Sequence, residues 1–116
     1  VVLAFVACVF GQGLVAGVHA RRFGSIPPQE VAREKILAAG TPGERHLVIV
    51  RYSPEHSPHT EYVFNRADID NARIVWARDM GEEKNKELLD YYPNRRVWLL
   101  QPDAPALSLV PYAARR

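Results

Sequence analysis

A chain of 116 residues has room for one domain, and its 15 Lys plus Arg against 13 Asp plus Glu leave a net charge of +2. So even a balance gives no reason to expect a nucleic acid or an acidic polymer as partner. The single cysteine, Cys8, excludes an internal disulfide framework and a Cys-based zinc cluster.

Residues 1–20, VVLAFVACVFGQGLVAGVHA, contain no Asp, Glu, Lys or Arg and are hydrophobic all round. An 18-residue helix at ~1.5 Å per residue covers about 27 Å, close to the ~30 Å hydrocarbon thickness of a bilayer. A transmembrane helix is therefore expected here, tethering the chain to a membrane. Two alternatives stay open. A signal peptide would use Val18-His19-Ala20, which has small residues where a peptidase cleaves but no basic start upstream. A buried core helix would normally carry a polar stripe, and none exists before Arg21. With no initiator methionine, the chain reads as part of a longer membrane protein. Residues 21–28, ending Ile26-Pro27-Pro28, read as a stiff linker, because each proline restricts itself and its predecessor.

Residues 29–116 are expected to form a soluble α/β domain. Gln29 to Ala39 reads as a helix, with Glu30 at its positive end, Ala32, Ile36 and Ala39 on one stripe, and Gly40 as its stop. His46 to Tyr52 is a nearly continuous β-branched run, the pattern of a strand buried on both faces, and 73–78 and 95–100 repeat it. Between these last two, Asp79 to Tyr92 reads as a helix that Asp79 caps, with Glu82 completing a capping box. Strand, helix, strand in about 30 residues is a βαβ unit. The fold class expected is thus a small, mostly parallel sheet of three to four strands with two helices, cored by Leu47, Ile49, Ile74, Val75, Val97 and Leu99. Tyr62-Val63-Phe64 is a candidate edge strand, Asp68 to Asn71 a turn, and the proline-rich PDAPALSLVPYAARR an extended tail over the surface.

The densest polar cluster is Glu55-His56-Ser57-Pro58-His59-Thr60-Glu61. His56 and His59 could offer two imidazoles to a metal, but a zinc site needs three or four ligands and only Asp68 and Asp70 could add to them, so a solvated loop is the plainer reading. Asp68 and Asp70 as an acid/base pair would need a turn to bring alternate side chains to one face. No nucleophile elbow, Cys-His pair, GxGxxG or GxxxxGK[ST] sequence occurs, so no covalent chemistry and no cofactor is implied. His56, His59, Asp68 and Asp70 remain as ligand-contact candidates, since the loop carrying them leaves the carboxyl end of the first strand, where parallel sheets gather ligands.

The segments VRY, EYVFNRADID, VWAR and RRVWL, spread through residues 29–112, resemble the C-terminal soluble tail of bacterial polytopic membrane proteins similar to protein-mannosyltransferase-type glycosyltransferases, which use lipid-linked sugars. The resemblance implies a last transmembrane helix before the domain, a bacterial inner-membrane location and an extracytoplasmic domain. It implies no catalytic residue in this chain, because the chemistry of that family type belongs to loops between earlier helices. Arg21 and Arg22 after the apolar segment would by themselves favour a cytoplasmic domain. The leading expectation is a non-catalytic accessory domain contacting a lipid-linked sugar or neighbouring loops. The alternative is a secreted periplasmic binding module with a His56/His59 ligand or metal loop. An enzyme in its own right would need Asp68 or Asp70 beside His56 or His59 in a cleft.

Overall fold

The computed structural model describes residues 27–113. At its centre lies β1 (His46–Val50), every residue of which is buried. Two later strands, β2 (Ile74–Arg78) and β3 (Arg96–Gln101), pair with it in parallel, one on each side. The strand β4 (Ser108–Pro111) adds antiparallel to β3, giving the order β2-β1-β3-β4 and a mixed, mostly parallel α/β sheet.

Alternation along β1 sends successive side chains to opposite faces. Val48 and Val50 join Ala32 and Ile36 of α1 (Pro28–Ala39), together with Trp76, Trp98 and Leu100. Leu47 joins Val75 and Ala72, with Leu88 and Leu89 of α2 (Glu82–Tyr91) packed against them. Two core faces explain why β1 reads as an unbroken hydrophobic run. Leu47, Ile49, Ile74 and Val75 are buried as expected, whereas Val97 and Leu99 are only half-buried, on the face covered by the ten-residue α2. Their neighbours Trp98 and Leu100, facing α1, are 4% and 0% exposed.

Helix α1 begins on Pro28, one residue inside the expected linker, at a position where the missing N–H costs nothing. It ends at Gly40, whose N–H donates to the Ile36 carbonyl at 3.1 Å. A Cβ there would lie 2.6 Å from His46 Cε1 and 2.8 Å from Glu44 Oε2, so close approach dictates the glycine. The expected capping box on α2 is replaced by a different device. Gly81, at φ +91°, is the N-cap, and no side chain caps the helix. Asp79 instead accepts from the Gly81 N–H at 3.1 Å and from Asn85 Nδ2 at 2.7 Å, bridging the first turn from outside.

Two further expectations change. The tail does not simply lie over the surface, since Ser108–Pro111 forms β4. Tyr62–Phe64 is not a strand, and Tyr62 is packed into the α1-side core. Among the described residues no helix is long and apolar enough to cross a membrane. The transmembrane helix expected at 1–20 lies outside the described residues, as do residues 21–26 of the linker.

Candidate functional site

Because β2 runs parallel to β1, residues 51–73 must leave the carboxyl edge of the sheet and return the chain to the amino edge. This separates the four candidate residues. His56 and His59 stay near the carboxyl edge, while Asp68 and Asp70, just upstream of β2, sit at the amino edge. The expectation that all four share one edge is corrected by this topology.

At the carboxyl edge the His56 ring stacks on Tyr52 with centroids 4.0 Å apart. Its Nδ1 lies 2.6 Å from Asp103 Oδ1, and its Nε2 lies 2.7 Å from the Thr60 carbonyl oxygen. Both neighbours are acceptors, so both bonds form only when both ring nitrogens carry protons. The hydrogen bond to Asp103 accordingly raises the His56 pKa against the opposing effect of burial. The same bond, with one from the Ser53 N–H, holds Asp103 below the usual range. His59, by contrast, is exposed, and its ring makes no hydrogen bond among the described residues.

Beside His56, Glu61 organises the start of the loop. Its carboxylate accepts from the Tyr52 hydroxyl, from the Val63 N–H at 2.9 Å and from Arg78. Partial burial pushes the carboxyl up, but these three donors outweigh it and hold Glu61 at about 2. Burial and the Glu61 carboxylate together raise the Tyr52 phenol to about 12. One strand away, Asp79 pairs with Arg51, and the 2%-exposed Asn85 bonds Asp79. Two sets of internal bonds, one around Glu61 and His56 and one around Asp79, thus engage the polar side chains of the carboxyl edge.

The amino edge is built on Arg95, 8% exposed. Its Nη1 donates to the carbonyls of Ala72 at 2.7 Å and His46 at 3.2 Å, and its Nη2 to that of Asp70 at 2.8 Å. The Asp70 carboxylate accepts from the Tyr91 and Tyr92 hydroxyls at 2.9 and 2.7 Å, and these bonds lower its pKa. Burial and Asp70 in turn raise the Tyr92 phenol to about 12. Asp68 accepts from Asn71 Nδ2 at 2.8 Å inside the turn. Nearby, the fully buried His46 accepts at Nδ1 from the Trp98 indole N–H at 3.1 Å. Its proton therefore belongs on Nε2, which has no partner, and burial lowers its pKa.

A third feature was not anticipated. A groove of about 560 Å³ runs between α1 and the outer edge of β2, floored by Leu37, Ile74 and Trp76 and rimmed by Arg33, Arg66 and Arg73. Phe64 stands beside it, 63% exposed. Gln29 donates to the Tyr62 carbonyl at 2.6 Å and thereby fastens the loop to α1. The Asn65 amide takes the place of a missing strand, its Nδ2 donating to the Trp76 carbonyl at 2.7 Å and its Oδ1 accepting from the Trp76 N–H at 2.9 Å.

The arrangement therefore brings neither Asp68 nor Asp70 beside His56 or His59. No cluster of three or more His, Cys, Asp or Glu able to hold a metal occurs among the described residues. Sequence reasoning missed Asp103, Arg95 and Asn65. Asp103 lay in a supposed tail, and Arg95 was absorbed into a strand. Asn65, the residue after the candidate edge strand, had as its only signal a polar amide next to Phe64. Compared with protein-family models, with curated proteins and with solved structures, the chain matches none.

Proposed function

We propose that residues 27–113 are a non-catalytic accessory domain carried on a membrane-anchored, glycosyltransferase-like bacterial protein, and that the domain works by contact. The resemblance of VRY, EYVFNRADID, VWAR and RRVWL to the soluble tails of such proteins motivates the reading. The observation that carries its non-catalytic part is the commitment of His56 and Asp70 to internal bonds at opposite edges of the sheet. A general acid/base pair must reach one substrate together, and these two groups lie at opposite edges of the sheet with both His56 ring nitrogens and both Asp70 carboxylate oxygens already engaged within the domain. The apolar residues 1–20 supply the anchor in this reading.

Expression of the whole chain in a bacterium tests the anchor. Recovery in the membrane fraction after alkaline extraction, with the N-terminal twenty residues retained by intact mass, is the expected result. A soluble periplasmic product cut after Ala20 would replace the anchor with a signal peptide and turn the reading into a secreted binding module.

A further inference from the structure

The groove between α1 and β2 has features that the internal networks at the two sheet edges lack. Arg33 is paired with Glu30 at 3.4 Å, but neither Arg66 nor Arg73 has an acidic partner among the described residues. Arg66 and Arg73 line a space of about 560 Å³, within the range of small-molecule sites, whose wall mixes polar groups with the apolar side chains of Leu37, Phe64 and Ile74. Phe64 leaves most of its ring in water beside it. Cations unpaired among the described residues and set beside apolar side chains complement a ligand with an anionic head and an apolar body.

The sheet edge narrows the choice further. An extended peptide could add to the outer edge of β2 only by bonding its outward N–H and C=O groups. At Trp76 both groups are already taken by the Asn65 side chain, which interrupts any added strand in its middle. The occupant is therefore compact. Guanidinium forks match phosphate oxygens in pairs, which an ammonium group cannot do.

We propose that this groove binds a phosphate ester with an apolar substituent, its phosphate held by Arg66 and Arg73 and its apolar part lying on Phe64, Leu37 and Ile74. The proposal rests on the reading of the domain as a contact module and names what it contacts. The phosphate ester can belong to a membrane lipid or to a soluble metabolite, and the chemistry of recognition is the same for both. The first turn of α1, which supplies Gln29 and Glu30 to the groove, starts seven residues after Arg21. At most ~3.6 Å per residue, the eight residues from Ala20 to Pro28 keep the start of α1 within about 29 Å of the point where the apolar segment ends.

The test uses the whole chain in nanodiscs of phosphatidylcholine and follows the Trp76 indole resonance during titration with phenyl phosphate, phenol or inorganic phosphate. Phenyl phosphate should shift it with an affinity at least tenfold higher than either half-ligand. The double substitution Arg66→Gln with Arg73→Gln should weaken that binding at least tenfold, while the equally charge-neutralising Lys84→Gln with Lys86→Gln on α2 should stay within twofold. Doping the discs with phosphatidic acid should shift Trp76 without added ligand if the source is a lipid, and leave it unmoved if the source is soluble. Binding that is insensitive to Arg66 and Arg73, equal binding of phenol and phenyl phosphate, or no shift with any probe would overturn the proposal. Incorporation into the discs is scored separately. A chain that fails to enter them but still binds phenyl phosphate in buffer overturns the membrane anchor alone.

Discussion

Replacing Arg95 by Ala would remove a side chain that ties the starts of three parallel strands together. Its guanidinium serves the carbonyl of His46 on β1 and those of Ala72, Arg73 and Asp70 upstream of β2, from a position one residue before β3. Two of these bonds, at 2.7 and 2.8 Å, are short and well formed, and the others reach 3.2 and 3.4 Å. A hydrogen bond to a charged group contributes about 1.5–3 kcal/mol, and a buried carbonyl stripped of its donor costs a similar amount. The two short bonds thus amount to about 3–6 kcal/mol, and water entering the 8%-exposed rim recovers part of it. The expected loss is about 3–4 kcal/mol. The described unit, 27–113, has a total stability on the order of 4–13 kcal/mol at the usual yield per residue, so Arg95→Ala should bring it close to unfolding. Arg95→Lys should recover only about half, because an ammonium cannot reach two directions at once as the planar fork does. Urea unfolding followed by tryptophan fluorescence reads both variants, with the midpoint falling and the slope unchanged. A midpoint for Arg95→Ala equivalent to less than about 1 kcal/mol of loss would refute the idea that these carbonyls depend on Arg95.

Three other outcomes follow from the same structure. Asn65→Ala should cost about 1–2 kcal/mol and expose the β2 edge, so the variant should self-associate with rising concentration in analytical ultracentrifugation while the parent does not. Gly40→Ala should destabilise by about 1–3 kcal/mol through its clash with the His46 ring, and a paired His46→Ala should remove most of that penalty; a Gly40→Ala melting temperature equal to the parent's would contradict the close approach. His56 has a raised pKa in the fold, so its bond to Asp103 stabilises fully below the ordinary histidine value of 6.5, is lost as pH rises through the raised value, and also fails when Asp103 protonates below its ordinary 3.8. The stability gap between parent and His56→Asn, about 1 kcal/mol for a pair at the surface, should therefore be widest between pH 4 and 6.5 and shrink as pH rises above it, and a gap that does not vary with pH would show that the fold leaves the His56 pKa unshifted. His46 acts in the opposite sense in both proteins, since its lowered pKa removes stability as pH falls below 6.5, and so cancels from the comparison.

The three parallel strands and both helices were legible because β-branched runs and helix stops are local signals. β4 was not, since Ser108–Pro111 contributes four residues among prolines and becomes a strand only where β3 offers an edge. The edge strand expected at Tyr62–Phe64 failed for a related reason: the neighbouring Asn65 meets β2 with a side chain, and a side-chain amide leaves no alternating pattern to read. The candidate site was misjudged through topology. His56 was placed correctly after β1, but a parallel β2 obliges Asp68 and Asp70 to lie at the other end of the sheet, and that obligation was already implicit in the parallel arrangement.

The central position of β1 also shapes how the chain must be handled before it is folded. β1 is synthesised first among the strands, yet its partners start only at Ile74 and Arg96, so Leu47-Val48-Ile49-Val50 waits in the nascent chain with nothing to cover it. Such a short, uncharged, β-branched stretch is the kind that templates intermolecular sheets, and non-local parallel pairing prolongs the exposure. Arg45 and Arg51 stand at either end of the run. Arg51 later pairs with Asp79, but Arg45 is exposed and has no acidic partner among the described residues, so its charge does little for the folded domain. Its value lies earlier, in keeping unfinished chains apart.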